Sequence, residues 1–108
     1  MIVGIRETVA TAVIHGQMKR SLTVTPNSNW YYFGSILSGK TSIEDIDLLV
    51  VCDRDEDCQR IRLELAPICS RFPIHLQLMT VAEEKEVDFI RTVNAIKVDL
   101  GLQPQSSS

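Results

Sequence analysis

The sequence predicts an α/β or α+β domain, a small mixed sheet of about three to four strands packed with helices. Apolar residues recur at spacings of three and four in segments near the N-terminus, after Asp53 and after Thr80, which is helical periodicity. Between those segments stand WYYF, IDLLVVC and FPIHLQLM, short runs rich in aromatic or aliphatic residues, which read as strands. Turn chemistry separates them, most clearly at Pro26-Asn27-Ser28-Asn29. A chain of 108 residues, 44% hydrophobic and 23% charged, has material for one modest core. One domain over residues 1–100 is expected, with a polar tail at 101–108 that should fray.

The first helix is predicted from Ile2 to about Met18, with Ile2, Ile5, Val9, Ala12 and Val13 as its buried stripe. Lys19 and Arg20 suit its C-terminal end, where cations favour exposed carbonyls, and His15 reads as helix surface. Trp30 to Phe33 is a first strand stopped by Gly34, and Ile46 to Cys52 a second, well-buried one. A second helix from Asp53 to about Cys69 has Cys58, Ile61, Leu65, Ile68 and Cys69 inward, and Pro67 is expected to bend or end it. Period-two alternation from Phe72 to Met79 gives a third strand. A last helix follows Thr80, which with Glu83 has capping-box spacing, and turns Val87, Ile90, Val93 and Ile96 inward. Glu83, Glu84 and Glu86 then serve its N-terminal dipole.

Several classes of function fall away. A formal net charge of −3 supplies no global attraction to nucleic acid or to an anionic membrane, so nucleic acid is not expected as the primary partner. No apolar run approaches the roughly 20 residues that span a bilayer. Cys52, Cys58 and Cys69 are an odd number at wide spacing, so they read as free thiols and place the chain in a reducing cytoplasm.

The stretch GSILSGKT, Gly34 to Thr41, satisfies G-x-x-x-x-G-K-[ST], and the later LLVVCD imitates a strand presenting a magnesium-binding Asp53. The context is wrong for a phosphate-cradling P-loop. The strand at Ile46 follows Thr41 too closely for a helix of several turns to spring from the lysine–threonine pair. A parallel partner strand would need a crossover of a dozen or so residues.

A different frame uses the same letters. Gly34-Ser35 is followed by residues 36–44 and then by Asp45-Ile46-Asp47 leading the apolar run. Asp45 and Asp47 stand two apart at the start of a strand, which puts both carboxylates on one face. Adjacent carboxylates repel unless a cation lies between them, and oxygen ligands of this kind suit magnesium carried by a nucleoside triphosphate. A Gly-Ser bend lets backbone N–H groups approach phosphate oxygens, with the Ser35 hydroxyl as a further donor and Lys40 as a point charge. With FGS…DIDLLVV in place, the chain resembles the minimal nucleotidyltransferases of the DNA polymerase beta superfamily, including antitoxin-type members. The likeness runs over roughly residues 2–98 and includes the order of elements, ending in FPIHLQLMTVAEEKEVDFIRTV.

That resemblance implies a nucleotidyltransferase fold and transfer of a nucleoside monophosphate, AMP from ATP, to a hydroxyl acceptor. It implies Asp45 and Asp47 as ligands of Mg²⁺ or Mn²⁺, and Gly34 and Ser35 on the phosphates. It also implies a partner, a helical HEPN-type protein as in toxin–antitoxin pairs. A chain of this size has no room for a second substrate-binding domain, so the acceptor site is expected from a partner, a homo-oligomer or the open cleft itself. Two positions depart from the family's pattern. Ile36 and Leu37 stand where many members carry an arginine, and His75 stands where active members carry a third carboxylate, with Gln77 next on its face. His75 is open to three readings: a strand-edge histidine without a role, a substitute ligand or general base, or the mark of a degenerate site that binds a nucleotide or a partner without catalysis.

Overall fold

The computed structural model describes residues 8–38 and 45–99. Helix α1 (Val9–Val24) is followed by strand β1 (Asn29–Phe33), a 3₁₀ turn (Gly34–Ser38) and strand β2 (Ile46–Cys52). Helix α2 (Asp55–Arg71), strand β3 (Ile74–Thr80), short helices α3 (Val81–Val87) and α4 (Phe89–Val93), and a two-residue strand β4 (Ile96–Lys97) complete the chain. The sheet order is β3-β2-β1-β4, with β2 and β3 parallel and the other two pairs antiparallel.

Helix α1 begins where Thr8 and Thr11 close a capping box, each side chain accepting from the other's backbone N–H. Thr8 is the extended cap of this helix, and Ile2 and Ile5 lie outside the described residues. The fully buried stripe is Thr11, Ile14, Met18 and Ser21; of the expected residues Val13 packs against the core, whereas Val9 and Ala12 are exposed. Val9 is 68% exposed. Polar Thr11 and Ser21 can turn inward because both have partners: Thr11 bonds within the cap, and Ser21 Oγ donates to Glu64 of α2 at 2.6 Å. The helix therefore runs past Met18, Lys19 and Arg20 to the turn at Pro26.

Helix α2 buries Cys58, Ile61, Leu65 and Ile68 as its periodicity requires, and continues through Pro67 to Arg71. Pro67 and Leu63, four residues before it, are both exposed, so the helix bond that proline forfeits lies on the solvent side. Helices α1 and α2 cover one face of the sheet. There Trp30, Tyr32, Ile46, Leu48, Val50 and Cys52 meet Ile14, Met18, Ile61 and Leu65 in the main core. His15 is not idle surface: its Nε2 lies 2.9 Å from the hydroxyl of fully buried Tyr32.

The other face carries Tyr31, Phe33, Asp47, Leu49, Val51, His75 and Gln77, as the strand register dictates. The last helix of the sequence reading is two helices, broken at Asp88, whose φ of 54° is left-handed. The break turns the chain so that β4 pairs with β1 and Val98 enters the core, with Val98 N donating to Trp30 O. Val87 and Ile96, expected inward, are 58% and 50% exposed. The Thr80–Glu83 capping box forms as expected, and Glu84 accepts from the Ile90 backbone N–H in the helix beyond the break.

Candidate active site

β1 and β2 run antiparallel, with Phe33 opposite Asp47, so the bend that ends β1 stands over the first residues of β2. Gly34 has φ +77°, a conformation that costs a residue with a Cβ about 1–2 kcal/mol. Space demands glycine as well. A Cβ here would overlap Asp47 Oδ2 and stand 3.1 Å from the Asp47 carboxyl carbon. The backbone of the bend therefore lies directly against the carboxylate.

The bend is anchored from both directions. Ile36, 2% exposed, plants the 3₁₀ turn in the core, and Leu37 packs against the same cluster. That is what these two apolar residues do in place of an arginine. Ser35 Oγ lies 3.4 Å from the backbone carbonyl of Asp45, tying the turn to the residue just before β2. Asp45 is half-buried at the mouth of the strand. Lys40 lies outside the described residues.

Parallel pairing of β2 with β3 sets His75 opposite Asp47. Its Nδ1 is 3.2 Å from Asp47 Oδ1, and the side chains are 66% and 21% exposed respectively. Asp47 is thus clasped, with Oδ2 against Gly34 and Oδ1 against the imidazole. Among the described residues, no group of three or more His, Cys, Asp or Glu side chains is assembled to hold a metal ion. The structure thus joins Gly34, Asp47 and His75 in one contact set and links Ser35 to Asp45 through the backbone.

A residue that the sequence reading passed over flanks this set. Phe89 opens α4 and meets Phe33 edge-on, ring centroids 5.3 Å apart at 90°, which walls the β1 side of the bend. Only the run of aromatics in β1 hinted at such a partner. Nearby, burial pushes the Tyr31 phenol above its ordinary pKa and the Glu84 carboxylate adds to the push. Gln77 follows His75 on the same face, opposite Leu49.

Cavities of about 350 Å³ (Leu78, Met79, Glu83, Glu86, Val87) and about 320 Å³ (Thr25 to Asn27, Asp53, Arg54, Asp57, Arg60, with Val24) lie at the other end of the strands. Asp53 is also at that far end, beyond Cys52. An antiparallel β1–β2 pair with Asp53 remote from the Gly34 bend is not a P-loop arrangement.

Among solved structures, the crystal structure of a provisionally assigned nucleotidyltransferase shares this architecture. The TM-score is 0.57 at 23% identity, over 85% of this chain and 100% of that one. At that identity the likeness is one of fold: the mixed four-stranded sheet and its helices have the nucleotidyltransferase form. No protein-family model and no curated protein matches the chain.

Proposed function

We propose that this protein is a metal-dependent nucleotidyltransferase that moves a nucleoside monophosphate, AMP from ATP, to a hydroxyl on a partner molecule and releases pyrophosphate. The observation that carries the reading is the Gly34 bend lying against the Asp47 carboxylate. It brings a close-approach backbone and an oxygen ligand to one end of a sheet that has the matching fold.

The donor set suits a cation that arrives with its nucleotide. Magnesium is held by one or two carboxylates completed by phosphate oxygens and water, so the lack of a three-ligand group among the described residues does not disqualify Asp45 and Asp47. When bound, Mg²⁺ or Mn²⁺ would neutralise charge developing on the transferred phosphoryl group and the leaving oxygen. The chain's own residues do the placing. Gly34, lacking a side chain, lets the bend's backbone and the Asp47 carboxylate stand together where a cation and triphosphate would meet, Ser35 offers a hydroxyl, and Lys40 is assigned a supporting charge. Asp47, held on both sides, keeps its carboxylate in one orientation, which lowers the cost of assembling the reactive complex.

The acceptor proposed is a hydroxyl on a macromolecule, in keeping with the resemblance to antitoxin-type nucleotidyltransferases. A helical HEPN-type protein in the cytoplasm, as in toxin–antitoxin pairs, is the partner proposed, and a homo-oligomer is the other way to complete the acceptor side. The test is transfer of label from α-labelled ATP, with Mg²⁺ or Mn²⁺, to a co-purified or co-expressed protein. Labelling that survives Asp45→Ala/Asp47→Ala would defeat the proposal.

A second reading has one observation in its favour: His75 occupies Asp47 Oδ1 where a third carboxylate would be expected. On that reading the fold binds a nucleotide or partner without transferring anything. Partner binding without labelling, unchanged in the double variant, distinguishes it.

A further inference from the structure

We infer that His75 is a metal-selecting residue, an imidazole that with Asp47 tunes the site toward Mn²⁺ and away from Mg²⁺. The inference rests on the nucleotidyltransferase reading and adds to it the choice of ion. Its basis is the separation of 3.2 Å between His75 Nδ1 and Asp47 Oδ1. Two ligands set at right angles, each about 2.1 Å from one ion, lie roughly 3.0 Å apart. The pair therefore already has nearly the spacing that two neighbouring ligands need, without backbone movement. An ion entering here would replace the Nδ1–Oδ1 hydrogen bond, the imidazole then carrying its proton on Nε2 and turning the Nδ1 lone pair to the same region as Oδ1.

Placement supports the role. The two residues are direct register partners on adjacent parallel strands, so their Cα positions are fixed by the sheet. The side of Asp47 away from His75 is closed by the Gly34 bend, so an ion approaching Oδ1 meets the imidazole. His75 is 66% exposed and serves no part of the core, which leaves packing as a poor explanation of its presence. Chemistry sets the direction of selection. Imidazole nitrogen is a weaker ligand for Mg²⁺, which prefers oxygen and dehydrates reluctantly, than for first-row divalent ions.

The test is calorimetric binding of α,β-methylene-ATP, which cannot transfer AMP, measured separately with Mg²⁺ and with Mn²⁺. The wild type should bind the Mn²⁺ form about tenfold or more tightly than the Mg²⁺ form, a typical size for metal-site changes. His75→Asp should shift the ratio toward Mg²⁺, and His75→Gln should collapse it. Electron spin-echo spectroscopy of the Mn²⁺ complex should show coupling to imidazole nitrogen in the wild type and none in His75→Gln. Equal ratios across the three proteins, or bound analogue without nitrogen coupling, would overturn the inference and leave the transferase reading standing. Failure of the analogue to bind with either ion would overturn both.

Discussion

The two ends of β2 are one strand apart in sequence and opposite in character. At its mouth, Asp47 faces outward between a glycine bend and an exposed imidazole. At its far end, Cys52 is fully buried and faces Cys58, which is 8% exposed. Burial, with the neighbouring Cys58 thiol, pushes the Cys52 pKa up to about 12. The strand offers a charged group where β1 turns away and the sheet surface opens, and seals neutral thiols where α2 returns over it. Chemistry-bearing letters are therefore poor guides until the end of the strand they occupy is known. LLVVCD and DIDLLVV share one run of apolar residues, and only the acids at its mouth meet the bend.

The largest effect expected is at that mouth. Asp47→Ala should lower the rate of nucleotidyl transfer by about 10²–10³-fold or more, the scale for losing one preorganised electrostatic group. Its urea midpoint should move little, because the side chain lies outside the apolar core. Single-turnover labelling and a denaturation curve on the same preparation check both halves. Activity that persists would place the reaction elsewhere and erase the contrast between the two ends.

Legibility in the sequence follows the same line between local and non-local causes. Strand β2 is legible to the residue, because Ile46 to Cys52 is an uninterrupted apolar run apart from Asp47 and is buried on both faces. The Thr80–Glu83 cap is legible because both partners lie within one turn. The phase of α1 is not, since Thr11 and Ser21 turn inward only when Thr8 and Glu64 are there to meet them. The break at Asp88 and strand β4 depend on pairing with Tyr31 and Tyr32, more than fifty residues earlier, which no local periodicity records. For the site, spacing brought Gly34 to Asp47, and alternation put His75 on an outward face. The contact between His75 and Asp47 needed the β2–β3 register.

The sealed end makes a prediction about pH. A thiol whose folded pKa lies above its unfolded value binds more protons when folded. Its stabilising contribution is complete below the unfolded pKa and is lost as pH rises toward the folded one. For Cys52 that window runs from about 9 to about 12. Stability should fall there by roughly 1 kcal/mol per pH unit from this thiol. Cys52→Ala should show a shallower decline by urea titration, although it starts lower for want of the sulfur's packing. Parallel declines in the two proteins would mean that the far end is less sealed than its geometry indicates.

Gly34→Ala sharpens the contrast from the open end. The left-handed φ costs about 1–2 kcal/mol. The new methyl must also displace the Asp47 carboxylate. Thermal unfolding should register that modest loss, while affinity for the metal–nucleotide complex should fall further than the loss of stability alone accounts for. An alanine variant that binds nucleotide normally would show that the close approach of bend and acid is incidental.

The smallest effect is expected at Asp53, and its smallness is the point. Asp53 is exposed beyond the end of β2 and makes no ion pair among the described residues. Surface changes of this kind alter stability by about 0.5 kcal/mol or less. It also stands a full strand length from Asp47, which for a seven-residue strand is roughly 20 Å. A residue at that distance cannot ligate an ion held at the mouth. Asp53→Ala should therefore leave both nucleotidyl transfer and the urea midpoint unchanged, and it should create no difference in phosphate release from ATP. If the variant lost nucleotide binding, the P-loop letters would have described the chemistry after all, and the antiparallel pairing that separates Gly34 from Asp53 would be the error to find.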